Sequence, residues 1–382
     1  MKKIVLIAVM TFGLESIVRK ELEDLGYKKI ISVSDGRIEF EAEVKDIPIV
    51  NLWLRTADRV VIKMAEFKAL DFDQLFDNIK SIPWEEWITK DGKITVNGKS
   101  VKSVLESVRS NQSITKKAII ERLKAKYNID WLEETGPEFE AQVSIYKDMA
   151  LLTLDTTGFG LHRRNYRTST GEVPLRENLA AALVLLSFWK KDRLLIDPLC
   201  GSGTILIEAA MIARNIAPGL NRDFASEQWP GIPIKYWTDA RDAALNAIDK
   251  TIKPRIFGYD IDPQRIKDCK INTKNAGVGN DVIYQQKDIK DLILEETQGI
   301  IISNPPYGIK LSTAKEVLPI YSALDELLKN KPGWSLFLLT ADKNFPNHFK
   351  RARPDKIRKL YNGTIEAGYY QYYSEKEPKQ LQ

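Results

Sequence analysis

At 382 residues the chain is long enough for two or three domains, and its 43% hydrophobic and 29% charged residues are those of an ordinary globular protein. No apolar stretch reaches the roughly 18–20 residues that a spanning helix needs, and two cysteines with two histidines argue against a disulfide framework, a four-ligand metal site or a Ser/His/Asp triad. The net charge of +5 is mild, so the distribution of basic residues matters more than their total.

The apolar run after Met1-Lys2-Lys3 lacks a small-residue cleavage site and is followed at once by Glu15, Arg19, Lys20 and Glu21. It predicts a first strand over residues 3–9, not a signal peptide, and a cytoplasmic setting. Leu14, Ile17, Val18, Leu22 and Leu25 have helical spacing, and Gly26 is the residue type expected just past a helix end. Residues 30–33 and 37–40 read as strands around the hairpin signal Asp35-Gly36. Residues 47–56 predict a second helix and 59–65 another strand, giving the β-α-β-β-α-β order of a ferredoxin-like unit.

A second α+β unit comes next, with helices expected over 72–82, 100–108 and 114–127 and strands over 94–96, 139–146 and 150–154. No nucleophile, close carboxylate pair or phosphate loop stands out, so this part predicts binding. Between Lys99 and Lys126 eight basic residues face two acidic ones, with Lys99, Lys102, Lys116, Lys117 and Arg122 as candidate contacts. Arg163, Arg164 and Arg167 form a second cluster, and Lys350, Arg351, Arg353, Lys356, Arg358 and Lys359 a third. One such cluster is commonly a solvated helix face; three point to a polyanionic partner.

Gly158, Gly160 and the neighbouring arginines mark a connector. The expected division is 1–66, 67–157, a linker over 158–169, and 170–382. Proline at 174 opens a helix running to about 189. A short strand over 194–196 then ends in Asp197-Pro198-Leu199-Cys200-Gly201-Ser202-Gly203-Thr204, and an apolar helix runs over 205–213. Strand, Gly-x-Gly turn and helix make the first unit of a Rossmann-like nucleotide-binding sheet. No Gly-Lys-Ser/Thr is present, and Leu206 stands where a dinucleotide fingerprint has its third glycine. Asp197 would repel a pyrophosphate; it suits a zwitterionic ligand such as the amino-acid end of S-adenosylmethionine.

The strand over 256–259 ends at Asp260, placed to accept ribose hydroxyls, with Ile261 and Asp262 behind it. The strand over 282–286 leads to Asp288, a candidate partner for an adenine amine. The apolar run at 301–303 stops at Asn304-Pro305-Pro306-Tyr307. Two prolines end the strand and stiffen the turn after it. An amide oxygen and a backbone carbonyl there can accept the N–H bonds of a flat molecule's exocyclic amine, while the tyrosine stacks on its ring. A lone Asp at a strand end is usually a helix cap. Four acid or amide ends in order match the rule that ligands bind at the carboxyl edge of such sheets. Residues 214–250, with Trp229, Pro230 and Trp237, form an insertion between the first and second strands of this sheet.

The order Asp197-Pro-x-Cys-Gly-Ser-Gly, Gly258-x-Asp260, Asp288, Asn304-Pro-Pro-Tyr resembles class I S-adenosylmethionine-dependent methyltransferases of the amine-methylating branch. Ser303–Gly308, Pro174-Leu175-Arg176-Glu177-Asn178-Leu179-Ala180, the helix start Ile207-Glu208-Ala209-Ala210-Met211-Ile212-Ala213 and Asn51-Leu52-Trp53-Leu54-Arg55-Thr56 resemble the ribosomal RNA large-subunit N2-guanine methyltransferases. That resemblance implies an α/β fold: a C-terminal class I methyltransferase sheet behind an N-terminal ferredoxin-like and THUMP region. It implies S-adenosylmethionine held by Asp197, Pro198, Gly201, Ser202, Gly203, Thr204, Asp260, Ile261, Asp288 and Asn304. Catalysis would rest on Asn304, Pro305, Pro306 and Tyr307, and RNA contacts on the N-terminal lysines with Arg122, Arg163, Arg164 and Arg167. The insertion at 214–250 resembles one in that family and would wall the base pocket, and no metal or membrane is implied. Some bacterial relatives carry a second, fused methyltransferase half; one activity is expected here.

Methyl transfer to an aromatic amine needs positioning more than a strong base, in line with the scarcity of histidine. A base inside a helix is out of reach, so flipping or an unpaired target is expected. The competing readings are a transfer RNA guanine-N2 enzyme, a DNA adenine-N6 methyltransferase, a glutamine-amide methyltransferase and a catalytically silent RNA-binding scaffold.

Overall fold

The computed structural model describes residues 3–167, 175–306, 314–350 and 353–375. It forms two compact units. Met1–Met10, Arg19–Leu161 and Asp223–Ala243 make the first; Thr11–Val18, His162–Arg222 and Ala244–Gln382 make the second.

In chain order the N-terminal part runs β1 (Lys3–Val9), α1 (Glu15–Asp24), β2 (Ile30–Ser34), β3 (Arg37–Glu43), α2 (Asp46–Trp53), β4 (Arg59–Lys68), α3 (Phe72–Ser81), β5 (Lys93–Val101), α4 (Val108–Tyr127), β6 (Glu138–Tyr146) and β7 (Met149–Asp155). Gly26 ends α1 as expected: its φ is +95° and the next N–H, from Tyr27, reaches the Leu22 carbonyl at 2.9 Å. The strands line up as one seven-stranded sheet, β2-β3-β1-β4-β7-β6-β5. β4 pairs antiparallel with β1 on one side and β7 on the other, so the ferredoxin-like and subsequent α+β segments share a sheet. Along β6, Phe139, Ala141, Val143 and Ile145 are buried while the residues between them face outward, the period of a half-covered strand.

The helix expected over 100–108 is absent. β5 continues to Val101, paired in parallel with β6 as far as Tyr146. α4 starts at Val108, where the Ser107 hydroxyl caps the Ser110 N–H. Val101, Val104, Leu105 and Val108 mimic a helical period, yet Val101 and Val104 are exposed.

Asn51 explains part of the Asn-Leu-Trp-Leu-Arg-Thr motif. Its buried amide donates to the Ile47 carbonyl (2.9 Å) and the Thr156 hydroxyl (2.9 Å) and accepts from the Thr157 hydroxyl (2.8 Å), tying α2 to the end of β7. Glu21 accepts from the Arg55 and Thr56 N–H groups, and burial pushes its carboxyl up.

The chain then continues α5 (Glu177–Leu186), β8 (Leu195–Asp197), α6 (Thr204–Ala213), α7 (Ile234–Asn246), β9 (Ile256–Asp260), α8 (Pro263–Asn275), β10 (Val282–Gln286), β11 (Gly299–Ser303), α9 (Ala314–Leu327), β12 (Trp334–Thr340), α10 (Phe345–His348), β13 (Lys356–Asn362) and β14 (Ile365–Tyr372). The second sheet has the order β10-β9-β8-β11-β12-β14-β13. β10, β9, β8, β11 and β12 run parallel, and β14 runs antiparallel to β12. Strand order reverses between β8 and β11, the place where doubly wound sheets open a crevice for ligands. All seven residues of β12 are buried, as a central strand covered on both faces requires.

Candidate active site

β9, β8 and β11 end side by side in parallel, so Asp260, Asp197 and Asn304 leave the sheet at one edge, with Asp288 just beyond β10. The loop after β8 is fixed by backbone bonds. The Cys200 N–H donates to the Tyr259 carbonyl (2.9 Å) and the Gly203 N–H to the Cys200 carbonyl (2.8 Å). Gly201 and Gly203 have φ of +54° and +78°. A Cβ on Gly203 would lie 2.8 Å from the Tyr284 hydroxyl and 3.1 Å from the Cys269 Sγ, so only glycine fits. On Gly201 it would meet nothing within 4 Å, which leaves the backbone open to close approach.

Asp197 is buried, and its Oδ1 accepts from the Ser303 hydroxyl (2.7 Å) and the Leu199 N–H (3.1 Å). Burial pushes its carboxyl up to about 7 despite those bonds, and the charge of Asp260 adds to the rise. Asp260 accepts from the Gly201 N–H (2.9 Å) and, on its other oxygen, from the Asp262 N–H (2.9 Å). Burial raises it too. Ile261 is 65% exposed beside it, an apolar surface uncovered by the described residues. Asp262 caps α8 through the Gln264 N–H (2.8 Å), and one Asp288 oxygen caps a short turn at the Lys290 N–H (3.0 Å). Asn304 is half-buried, Pro305 buried and Pro306 exposed. Tyr307, Gly308, Pro174 and Arg351 lie outside the described residues.

Two of the linker arginines have a different place from the one their sequence suggested. Arg164 has a side chain only 1% exposed and faces the buried Glu208 at 3.6 Å, while the Tyr166 hydroxyl donates to the same carboxylate at 3.1 Å. Arg167 lies 3.3 Å from Glu177 and donates to the Thr204 hydroxyl (2.7 Å) and the Leu175 carbonyl. Both guanidiniums compensate buried carboxylates, so neither forms an RNA-facing surface; Arg163 remains exposed. Arg122 pairs with Glu85 through two bonds (3.0 and 2.6 Å), and this pairing above all holds Glu85 below the usual carboxylate range. Lys116 pairs with Glu134 (2.7 Å). Lys99, Lys102 and Lys117 are on the surface of the first unit.

Within the insertion, Asp223–Ala243 belongs to the first unit. Trp229 stacks on Phe139 (4.9 Å between centroids) and its Nε1 donates to the Glu138 carbonyl (3.0 Å); Phe224 stacks on Trp237 (5.1 Å). Aromatic burial against β6 anchors this segment.

The family description "RMKL-like, methyltransferase domain" matches residues 164–371, "RlmL ferredoxin-like domain" residues 5–61 and "THUMP domain" residues 69–155. The chain belongs to the RMKL-like methyltransferase family. It is 45% identical to "Putative RNA methyltransferase YpsC" of Bacillus subtilis over 99% of this chain and 98% of that one. With "Ribosomal RNA large subunit methyltransferase K/L" of Syntrophotalea carbinolica it shares 32% identity over 93% of its own length but spans only 51% of that protein. A crystal structure of "SMU.472, a putative methyltransferase complexed with SAH" matches at 40% identity and a TM-score of 0.92, covering 99% of this chain and 100% of that one. A Listeria monocytogenes structure titled "predicted N6-adenine-specific DNA methylase" matches at 43% identity and a TM-score of 0.93 over 98% and 97% of the two chains.

This methyltransferase uses S-adenosylmethionine, and the strand ends fit that cofactor. The buried carboxylate at Asp197, the accessible backbone at Gly201 and the bare Ile261 surface are what a cationic, nucleoside-bearing ligand requires. No helix among the described residues is long and apolar enough to cross a membrane. Apart from the place of Ser303 in the Ser303–Gly308 motif, no sequence signal marks the Ser303–Asp197 bond, the packing of Cys269 and Tyr284 against Gly203 or the Arg167–Thr204 bond.

Proposed function

We propose that this methyltransferase forms N2-methylguanosine in large-subunit ribosomal RNA. The observation that carries the reading is the Ser-Asn-Pro-Pro sequence leaving β11 at the sheet's reversal point, next to Asp197. The K/L relative's name supports ribosomal RNA as the substrate, and the THUMP match supports an RNA-directed role.

S-adenosylmethionine supplies an electrophilic methyl group on sulfonium. The chain holds it with Asp197, Pro198, the Gly201-Ser202-Gly203-Thr204 loop, Asp260, Ile261, Asp288 and Asn304. The Asn304 side-chain oxygen and the Pro305 carbonyl accept the guanine amine's two N–H bonds and draw its nitrogen towards a pyramidal, more nucleophilic geometry. Pro306 stiffens the turn and Tyr307 stacks on the base. The proton leaves after transfer without a dedicated base. The target guanine is flipped or unpaired.

Tritiated methyl transfer to total RNA from a strain lacking the gene, followed by nucleoside mass spectrometry, tests this. N2-methylguanosine in large-subunit ribosomal RNA, lost with Asn304→Ala, is expected. The product in transfer RNA moves the substrate; label in DNA alone, or in protein alone, overturns the RNA reading.

A further inference from the structure

We propose that one rim of the N-terminal sheet is a stacking site for unpaired RNA nucleotides flanking the target. Six of the eighteen large apolar side chains exposed among the described residues gather there: Leu70, Phe72, Val101, Val104, Tyr146 and Met149. Register makes them contiguous. Val101 pairs with Tyr146, Tyr146 with Met149, and Met149 with Lys68, so these four side chains form one row across β5, β6, β7 and β4 on one face. The backbone closes the group. Ala69 donates to the Asp148 carbonyl (2.9 Å) and Val104 to the Asp148 carboxylate (2.8 Å), bringing Leu70 and Val104 to the β6–β7 turn.

An exposed apolar cluster of this kind marks an interaction surface. Its surroundings select the partner. Lys68, Lys99, Lys102 and Lys147 stand exposed around it, and the Lys147 ammonium lies 5.3 Å from the Tyr146 ring centre. Of the acids at this end, Glu66 pairs with Lys63 (2.6 Å), Asp148 accepts from the Val104 N–H and Asp71 from the Gln74 N–H (2.7 Å), while Asp73 and Glu106 stand exposed beside Phe72 and Val104. Aromatic and aliphatic faces ringed by lysines suit bases stacked on Tyr146 with their phosphates on the ammonium groups. Further down the same face, Asn97 donates to the Glu140 carboxylate (2.8 Å) and Gln142 to the Ser144 hydroxyl (3.2 Å), which leaves their amide oxygens for base edges. Four exposed lysines against two exposed acids leave the rim net positive, which favours a polyanion over a protein partner. The site rests on the RNA reading above and names the part of the RNA it takes, a single-stranded flank.

The test is fluorescence anisotropy with a labelled RNA hairpin, with and without a single-stranded flank. Wild type should bind the flanked hairpin more tightly than the blunt one. Tyr146→Ala should weaken flanked binding about tenfold and leave its salt dependence unchanged, with Tyr146→Phe retaining affinity. Lys102→Ala should lower the slope of log affinity against log salt by about one. Equal affinity of wild type and Tyr146→Ala for the flanked hairpin overturns the site while leaving the methylation reading intact. Absence of RNA methylation in the transfer assay overturns the reading itself. Loss of a ribosomal protein's binding, with RNA affinity unchanged, overturns the site in favour of a protein surface.

Discussion

The Ser303 hydroxyl donates to the Asp197 carboxylate at 2.7 Å across the point where the sheet reverses, joining the cofactor strand to the strand that carries Asn304. That carboxylate is buried and raised to about 7 from the ordinary aspartate value of 3.8. Between those values the folded protein keeps a proton that the unfolded chain has lost. Stability without cofactor should therefore fall as pH rises from about 4 to about 7, by up to about 4 kcal/mol. Asp197→Asn should flatten that slope in thermal melts and abolish cofactor binding. Because the charged carboxylate suits a cationic ligand, calorimetry should show affinity falling with acidity below about 7. Ser303→Ala, which removes a bond that lowers Asp197, should push that fall to higher pH.

Gly203→Ala puts a methyl group against Tyr284 and Cys269 at a left-handed φ of +78°. We expect a loss of about 1–3 kcal/mol in stability and a cofactor affinity at least tenfold lower, measured by denaturant titration and calorimetry.

Arg167 and Arg163 share one short arginine cluster and should behave differently. Arg167→Ala removes the bond to Thr204 at the start of α6, so it should raise KM for S-adenosylmethionine several-fold, with Arg167→Lys giving partial recovery. Arg163→Ala should leave that KM unchanged, as checked by initial rates at saturating RNA.

Asn51→Ala removes three buried hydrogen bonds at the junction of α2 and β7. Urea unfolding followed through the first unit should show a loss of about 2–4 kcal/mol, with cofactor affinity of the folded protein unchanged.

The parts legible in the sequence were local. A strand ending in an acid, a Gly-x-Gly turn or Asn-Pro-Pro declares itself within a few residues, so Asp197, Gly203, Asp260 and Asn304 could be placed on one edge from the sequence. The arginines could not be sorted in the same way. Arg164 and Arg163 look alike in sequence, and only Glu208, 44 positions away, makes the first an internal cation. Val101 and Val104 repeat at helical spacing, yet parallel pairing with β6 carries β5 on to Val101 and α4 starts only at Val108. The aromatic residues of the insertion announced burial but not the surface that buries them, and Phe139 is 90 positions upstream of Trp229.

The return of Asp223–Ala243 to the first unit also has a consequence during synthesis. A chain emerging from the ribosome presents the whole first sheet once β7 is out, yet Phe139 and the Glu138 carbonyl still lack the Trp229 ring and its N–H. The N-terminal unit therefore cannot finish folding until β8 and α6 have already been made. A polypeptide cut after β7 should expose that aromatic surface and aggregate, whereas the same polypeptide supplied with a peptide spanning 223–243 should stay soluble.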